Sequence, residues 1–185
     1  MRKQKGFSLI ELLIVVAIIL IIAAIAIPNL LRSKMSANDS AAASTVRTLN
    51  TSQVTYATNY PAFGYADTFT KLGPAGAAAC NQLAACLIDN VLASSATGPS
   101  AKSGYNYYIA GLAPVAPSTV VGDYVVNASP IKLDSTGTNA YCSTADAVVR
   151  SMKTAIPAPA GAITPPAGAE TIANCQTITA YGPIQ

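Results

Sequence analysis

Few residues of this chain are of the types that carry out chemistry. The sequence has no histidine, and we find neither a Gly-x-Ser-x-Gly elbow nor a phosphate-binding loop in it. No two acids are placed in the sequence as a general acid and base would be. We therefore predict no catalytic residue, no enzyme activity and no cofactor.

The cysteines are better suited to disulfide bonds than to a metal site. Zinc sites use histidine or cysteine pairs two to four residues apart, and this chain offers neither. Three pairings of the four cysteines are possible. We favour the pairing that is local in the sequence, which joins Cys80 to Cys86 and Cys142 to Cys175.

A single carboxylate stands at the edge of a long apolar segment. Residues 12–31 contain no charged side chain, and at about 1.5 Å per residue such a helix spans a bilayer core. Glu11 directly precedes them. Moving a carboxylate towards the bilayer centre costs on the order of 2–3 kcal/mol, so this residue is expected to have a partner or a function.

The charges before this segment predict its orientation and its processing. Arg2, Lys3 and Lys5 place the N-terminus in the cytoplasm and the rest of the chain across the inner membrane, in an oxidising compartment. Gly6 lies before the apolar run, whereas a secretory signal is cut after it. Cleavage after Gly6 would leave a free amine at Phe7, which can neutralise Glu11 of the same chain or of a neighbour.

Residues 5–28, KGFSLIELLIVVAIILIIAAIAIP, resemble the class III leader and first helix of type IV pilins. This resemblance implies cleavage between Gly6 and Phe7 by a prepilin peptidase, methylation of Phe7, and polymerisation into a helical fibre. An assembly platform and cytoplasmic ATPases would drive that step. In that family the acid matching Glu11 pairs with an adjacent subunit's amine, and the proline matching Pro28 marks a stretch, here about residues 23–31, that loses helical order in the fibre.

The expected fold is α+β and pilin-like. No glycine occurs between Gly6 and Gly64, so one helix could run from about Ser8 to Asn59. The expected parts are a leader (1–6), a transmembrane and polymerisation helix (7–31), the amphipathic half of that helix (32–60) and a globular domain (61–185). The domain carries a disulfide-bounded loop (142–175).

The second half of the helix has one stripe of residues suited to packing on the domain, with polar residues such as Asn38, Asp39 and Asn50 on other faces. The stripe contains Met35, Ala42, Val46, Leu49, Gln53, Tyr56 and Tyr60.

The domain is predicted to hold an antiparallel sheet of three or four strands. Aromatic and β-branched runs place the strands at residues 104–113, 122–133, 138–143 and 146–150. Tyr105, Tyr107 and Ile109 should share one face of the sheet. We also predict a short helix at residues 83–93 and an extended segment at residues 155–169, which is rich in proline, alanine and glycine.

The expected function is that of a structural subunit of a surface pilus serving motility, adhesion or DNA uptake. One alternative is a type II secretion pseudopilin or a minor pilin, and another is a membrane-anchored binding module that does not polymerise. Only Asp146 and Glu170 are acidic between Cys142 and Cys175, so we predict no calcium site. After loss of the leader the basic and acidic residues balance, and no nucleic-acid site is visible.

Overall fold

The computed structural model describes residues 7–76, 79–94, 99–111 and 120–153, together with Cys175 and the backbone of residues 182–183. Gly6 and the rest of the leader lie outside the described residues. So do the predicted extended segment at 155–169 and most of the predicted loop between Cys142 and Cys175.

The largest element is a single helix, α1, which spans Leu9–Asn59. It confirms the helix predicted from the absence of glycine between Gly6 and Gly64. Pro28 lies inside α1, and the helix continues through it. After Tyr60 the chain turns at Gly64, whose φ of +73° favours glycine.

The two halves of α1 differ in burial. The large apolar side chains of the first half, from Leu9 to Leu31, are all exposed. In the second half the predicted stripe is buried from Ala42 to Tyr56, with Met35 and Tyr60 half-buried at its ends. Asn50 was predicted on a different face, but it is buried because it forms hydrogen bonds with the sheet.

The domain contains an antiparallel sheet in which strands that follow each other in the chain are neighbours. Such a meander needs only turns between its strands. Its strands are β1 (Ser100–Lys102), β2 (Tyr105–Gly111), β3 (Tyr124–Pro130), β4 (Asn139–Thr144), β5 (Arg150–Lys153) and β6 (Gly182–Pro183).

Strands β2, β3 and β4 lie where the sequence predicted strands, but the last predicted strand is misplaced. Residues 146–149 belong to the turn before β5, which begins only at Arg150. The Asp146 carboxylate accepts hydrogen bonds from the Thr144 hydroxyl and the Val148 nitrogen, both at 3.0 Å. Ala147 has a positive φ of 57°. The hydrogen bonds of Asp146 stabilise a turn, and the positive φ of Ala147 is incompatible with a strand.

The predicted helix at residues 83–93 is also wrong. The segment is irregular apart from a 3₁₀ turn at Leu92–Ser94. The backbone nitrogens at its centre donate to the end of a short helix, α2 (Phe69–Leu72), and not to carbonyls one helical turn earlier. The pairs, each at 2.8 Å, are Ala85 to Lys71, Cys86 to Gly73 and Leu87 to Leu72.

The core lies between α1 and one face of the sheet. Val46, Leu49 and Tyr56 of α1 pack in the same cluster as the sheet residues Tyr105, Tyr107, Tyr124, Val126 and Tyr141. Ile109 packs against this cluster, so Tyr105, Tyr107 and Ile109 share a face as predicted. Burying a side chain such as Leu49 contributes about 1.5–3 kcal/mol.

Two disulfide bonds are present, joining Cys80 to Cys86 and Cys142 to Cys175. The first is exposed. The second is buried, in a small cluster with Val125 that is separate from the main core. Because successive side chains of β3 alternate between faces, Val125 points away from the face that Tyr124 and Val126 present to α1.

Candidate assembly site

The first turn of α1 brings together two of the residues that the sequence marked for assembly. Phe7 directly precedes Ser8, the N-cap residue, and its side chain is 80% exposed. The Glu11 carboxylate accepts a hydrogen bond from the Ser8 backbone nitrogen at 2.9 Å. Glu11 therefore reaches back towards the helix N-terminus, where a negative charge also interacts favourably with the helix dipole.

This capping contact was not predicted, although the sequence carries a signal for it. Ser8 and Glu11 form the Ser-x-x-Glu pattern of a capping box. The contact satisfies one backbone donor, but no cation among the described residues forms an ion pair with the Glu11 carboxylate. A positive partner is therefore still needed wherever this turn enters a lipid or protein environment.

Beyond Glu11 the helix offers a continuous apolar surface. This part of α1 is long and apolar enough to cross a membrane, and none of it is buried within the described residues. Pro28 lies near its end and is exposed. Proline has no N–H and so removes the helical hydrogen bond to the carbonyl of Ala24, which makes this the weakest turn of the apolar half.

Polar contacts fix the second half of α1 to the domain. The Gln53 side chain donates to the Ala66 carbonyl at 2.8 Å and accepts from the Ala66 nitrogen at 2.9 Å. The Asn50 side chain donates to the Ser143 hydroxyl at 2.8 Å. Both amides are buried, so each contact satisfies groups that would be costly to leave unpaired.

Asp39 forms the densest of these contacts, which we call the Asp39 joint. Its carboxylate accepts from the Thr138 nitrogen at 3.1 Å, the Thr138 hydroxyl at 2.7 Å and the Asn139 side chain at 3.0 Å. The hydroxyl of Tyr105 also donates to it. Gly137 makes room for the joint, because a Cβ there would lie 2.2 Å from the Tyr105 hydroxyl oxygen.

The buried tyrosines of the sheet are held in the neutral form. Burial raises the pKa of Tyr105 far above its ordinary value, and the neighbouring Asp39 carboxylate raises it further. Burial likewise raises the pKa of Tyr124. These tyrosines therefore act as packing and hydrogen-bonding groups at neutral pH, not as acids or bases.

The described part of the chain contains no group of three His, Cys, Asp or Glu side chains that could hold a metal ion. The candidate functional surface among the described residues is the exposed apolar helix with Glu11 at its first turn.

Comparison with known proteins finds similarity in the N-terminal segment that contains this surface. Residues 1–27 match the prokaryotic N-terminal methylation motif, which confirms the resemblance to type IV prepilins. The long helix and the antiparallel sheet described above confirm the predicted α+β fold. Over 39 residues the chain is 67% identical to the type IV wide pilus major component PilA4 of Thermus thermophilus, covering 21% of this chain and 30% of that protein.

A second relative is the type IV major pilin protein PilA of Myxococcus xanthus, 46% identical over 54 residues, covering 29% of this chain and 24% of that protein. The matched segments thus span less than a third of each relative. No solved structure matches this chain significantly.

Proposed function

We propose that this chain is the structural subunit of a type IV pilus. It is cut between Gly6 and Phe7 by a prepilin peptidase on the cytoplasmic face, methylated on the Phe7 amine, and polymerised from the inner membrane into a helical fibre at the cell surface. The observation that carries the proposal is the exposed apolar half of α1, which projects from a folded domain and has one acid in its first turn.

The apolar half has two environments in this proposal. Before assembly it crosses the inner membrane, where lipid covers side chains such as Ile14 and Leu20. In the fibre, the same half of other copies covers them instead. Water cannot replace the lipid or the neighbouring copies, because each Å² of apolar surface left exposed to water costs about 25 cal/mol of free energy.

Glu11 makes assembly specific. Cleavage creates a positive amine at Phe7, and methylation of an amine keeps its charge. The Glu11 carboxylate already points back along the helix towards this end, through its bond to Ser8. A neighbouring copy that is displaced along the helix axis can therefore bring its amine to Glu11, so that the two charges are buried together.

Pro28 also assists assembly of the fibre. The helix lacks one backbone hydrogen bond at this turn, so about residues 23–31 can lose helical order at a lower cost than the rest of α1. Loss of order there would let the apolar halves pack in the fibre core while the domains keep their places outside it.

The proposal is tested by isolating the mature protein and looking for fibres. Mass spectrometry should find a chain that begins with methylated Phe7, and electron microscopy with immunogold labelling should find surface filaments composed mainly of it. A mature chain without surface filaments would favour a secretion pseudopilin or a minor pilin. A chain that begins at Met1 would favour a membrane-anchored binding module.

A further inference from the structure

A groove runs along α1 where the helix meets the sheet. It consists of two adjoining hollows of about 430 and 360 Å³. The first lies beside Asn139 and Tyr141, and the second lies beside Val54 and Ala147. Arg47 lines both hollows. Its side chain is exposed and has no hydrogen bond or ion pair within the described part of the chain.

The turn between β3 and β4, residues 131–138, projects from the domain on the same side of the sheet as Asn38. Its backbone is well defined by hydrogen bonds, among them Asp134 nitrogen to Gly137 carbonyl at 3.0 Å and Thr136 nitrogen to Lys132 carbonyl at 2.9 Å. Ile131 is 53% exposed. Asp134 is also exposed, and its carboxylate has no partner among the described residues.

Asp134 is the candidate acid for an ion pair with Arg47 of another copy. Three other acids have ion pairs within the chain: Asp67 with Lys71, Asp89 with Lys102, and Asp146 with Arg150. The carboxylates of Asp39 and Asp123 accept hydrogen bonds from nearby donors. Of the described acids beyond the apolar half, only Asp134 has neither.

We propose that the β3–β4 turn of one copy docks into the groove of a second copy, with the Asp134 carboxylate paired with the Arg47 guanidinium and Ile131 placed against Val54. The inference rests on the proposed function, since it names a contact between subunits of the fibre. The groove and the turn are different surfaces, so the contact is head-to-tail, and repeated head-to-tail contacts build helical filaments.

The proposed contact also implies a displacement between the two copies. The Asn38 side chain donates to the Thr136 carbonyl at 2.7 Å, which fixes the turn beside Asn38. Arg47 lies about nine residues further along the same helix, or about 14 Å at 1.5 Å per residue. Two copies that make this contact are therefore offset by about that distance along α1.

Charge reversal tests the contact in the full chain expressed in piliated cells. The readout is the yield of sheared fibres, divided by the amount of mature subunit in the membrane. Arg47→Asp alone and Asp134→Arg alone should each lower this ratio about fivefold or more, because each places like charges in every interface. The double variant should recover to within about twofold of the wild type.

Lys153→Asp is the matched control, because Lys153 is an exposed cation that lies outside the groove. It should leave the ratio unchanged, and combining it with Asp134→Arg should rescue nothing. Normal fibres from Arg47→Asp, or a double variant as poor as the single ones, would overturn the inference and leave the proposed function intact. A wild-type chain that forms no fibres would overturn both.

Discussion

The Glu11 carboxylate accepts a hydrogen bond from the Ser8 backbone nitrogen, three residues earlier in the chain. This contact gives the acid a role within its own helix, since it caps one of the backbone donors left free at the N-terminus. The negative charge remains available to a second partner. Capping and intersubunit pairing are therefore separable, because the first needs only an oxygen acceptor and the second needs a charge.

Glu11→Gln separates the two roles, since glutamine can still cap Ser8 but carries no charge. We expect Glu11→Gln and Glu11→Ala to insert into the membrane and to be cleaved normally, yet to lose efficient fibre assembly. Membrane fractionation and fibre yield are the measurements. Wild-type fibre yield from Glu11→Gln would mean that capping alone explains the residue.

Gly6→Val should trap the precursor. The branched side chain would block cleavage between residues 6 and 7, so the basic leader would remain on the chain. Mass spectrometry of the membrane fraction should then find Met1 or Arg2 at the N-terminus, and no fibres should form. Gln4→Ala changes the leader away from the cleavage site and should be processed normally. A Gly6→Val chain that still begins at Phe7 would contradict the prediction.

Asp39→Ala should destabilise the domain on its helix. The substitution leaves the donors of Thr138, Asn139 and Tyr105 without their acceptor, at a cost of about 1–3 kcal/mol. Urea unfolding of the detergent-solubilised full chain measures this loss. Asp134→Ala removes an exposed acid with no partner in the described residues, and should change the free energy of unfolding by less than about 0.5 kcal/mol.

Alkali should destabilise the fold. Burial raises the pKa values of Tyr105 and Tyr124 above the ordinary value of 10.0, so the folded chain keeps protons that the unfolded chain has lost. Their contribution to stability is complete below about pH 10 and falls as the pH rises above it. Urea unfolding at several alkaline pH values should show this decline, and Tyr124→Phe should make it shallower. Stability that is constant through this range would count against the burial of these hydroxyls.

The two disulfides should differ in their reactivity towards reductant. Cys80 and Cys86 are exposed, whereas Cys142 and Cys175 are only 1% and 2% exposed. Mild reduction of the native chain followed by alkylation should label Cys80 and Cys86 first, because a thiolate must reach the sulfur that it attacks. Peptide mapping identifies the labelled residues, and equal labelling of all four would contradict the arrangement.

The sequence predicted the features that depend on local composition. The apolar run, the absence of glycine and the periodic stripe were enough to predict α1 and its buried face from Ala42 to Tyr56. Glu11 was identified for the same reason, since a lone acid in an apolar run is costly. Its capping contact with Ser8 was predictable too, because the two residues are only three apart.

Contacts between distant parts of the chain were not predictable in this way. Asn50 and Asp39 were predicted to lie on helix faces away from the domain. Their hydrogen-bond partners, however, lie about 90 to 100 residues later in the chain. Residues 83–93 have helical composition, but the backbone nitrogens of Ala85, Cys86 and Leu87 donate to the end of α2. In each case the tertiary fold determines which group the residue contacts. The local sequence pattern does not reveal that group.

The most direct test of the account is a cryo-electron microscopy reconstruction of the purified fibre at a resolution that shows side chains. We predict that the Glu11 carboxylate of each subunit lies within about 4 Å of the Phe7 amine of another subunit. A fibre in which Glu11 faces lipid or solvent, far from every N-terminal amine, would contradict the account.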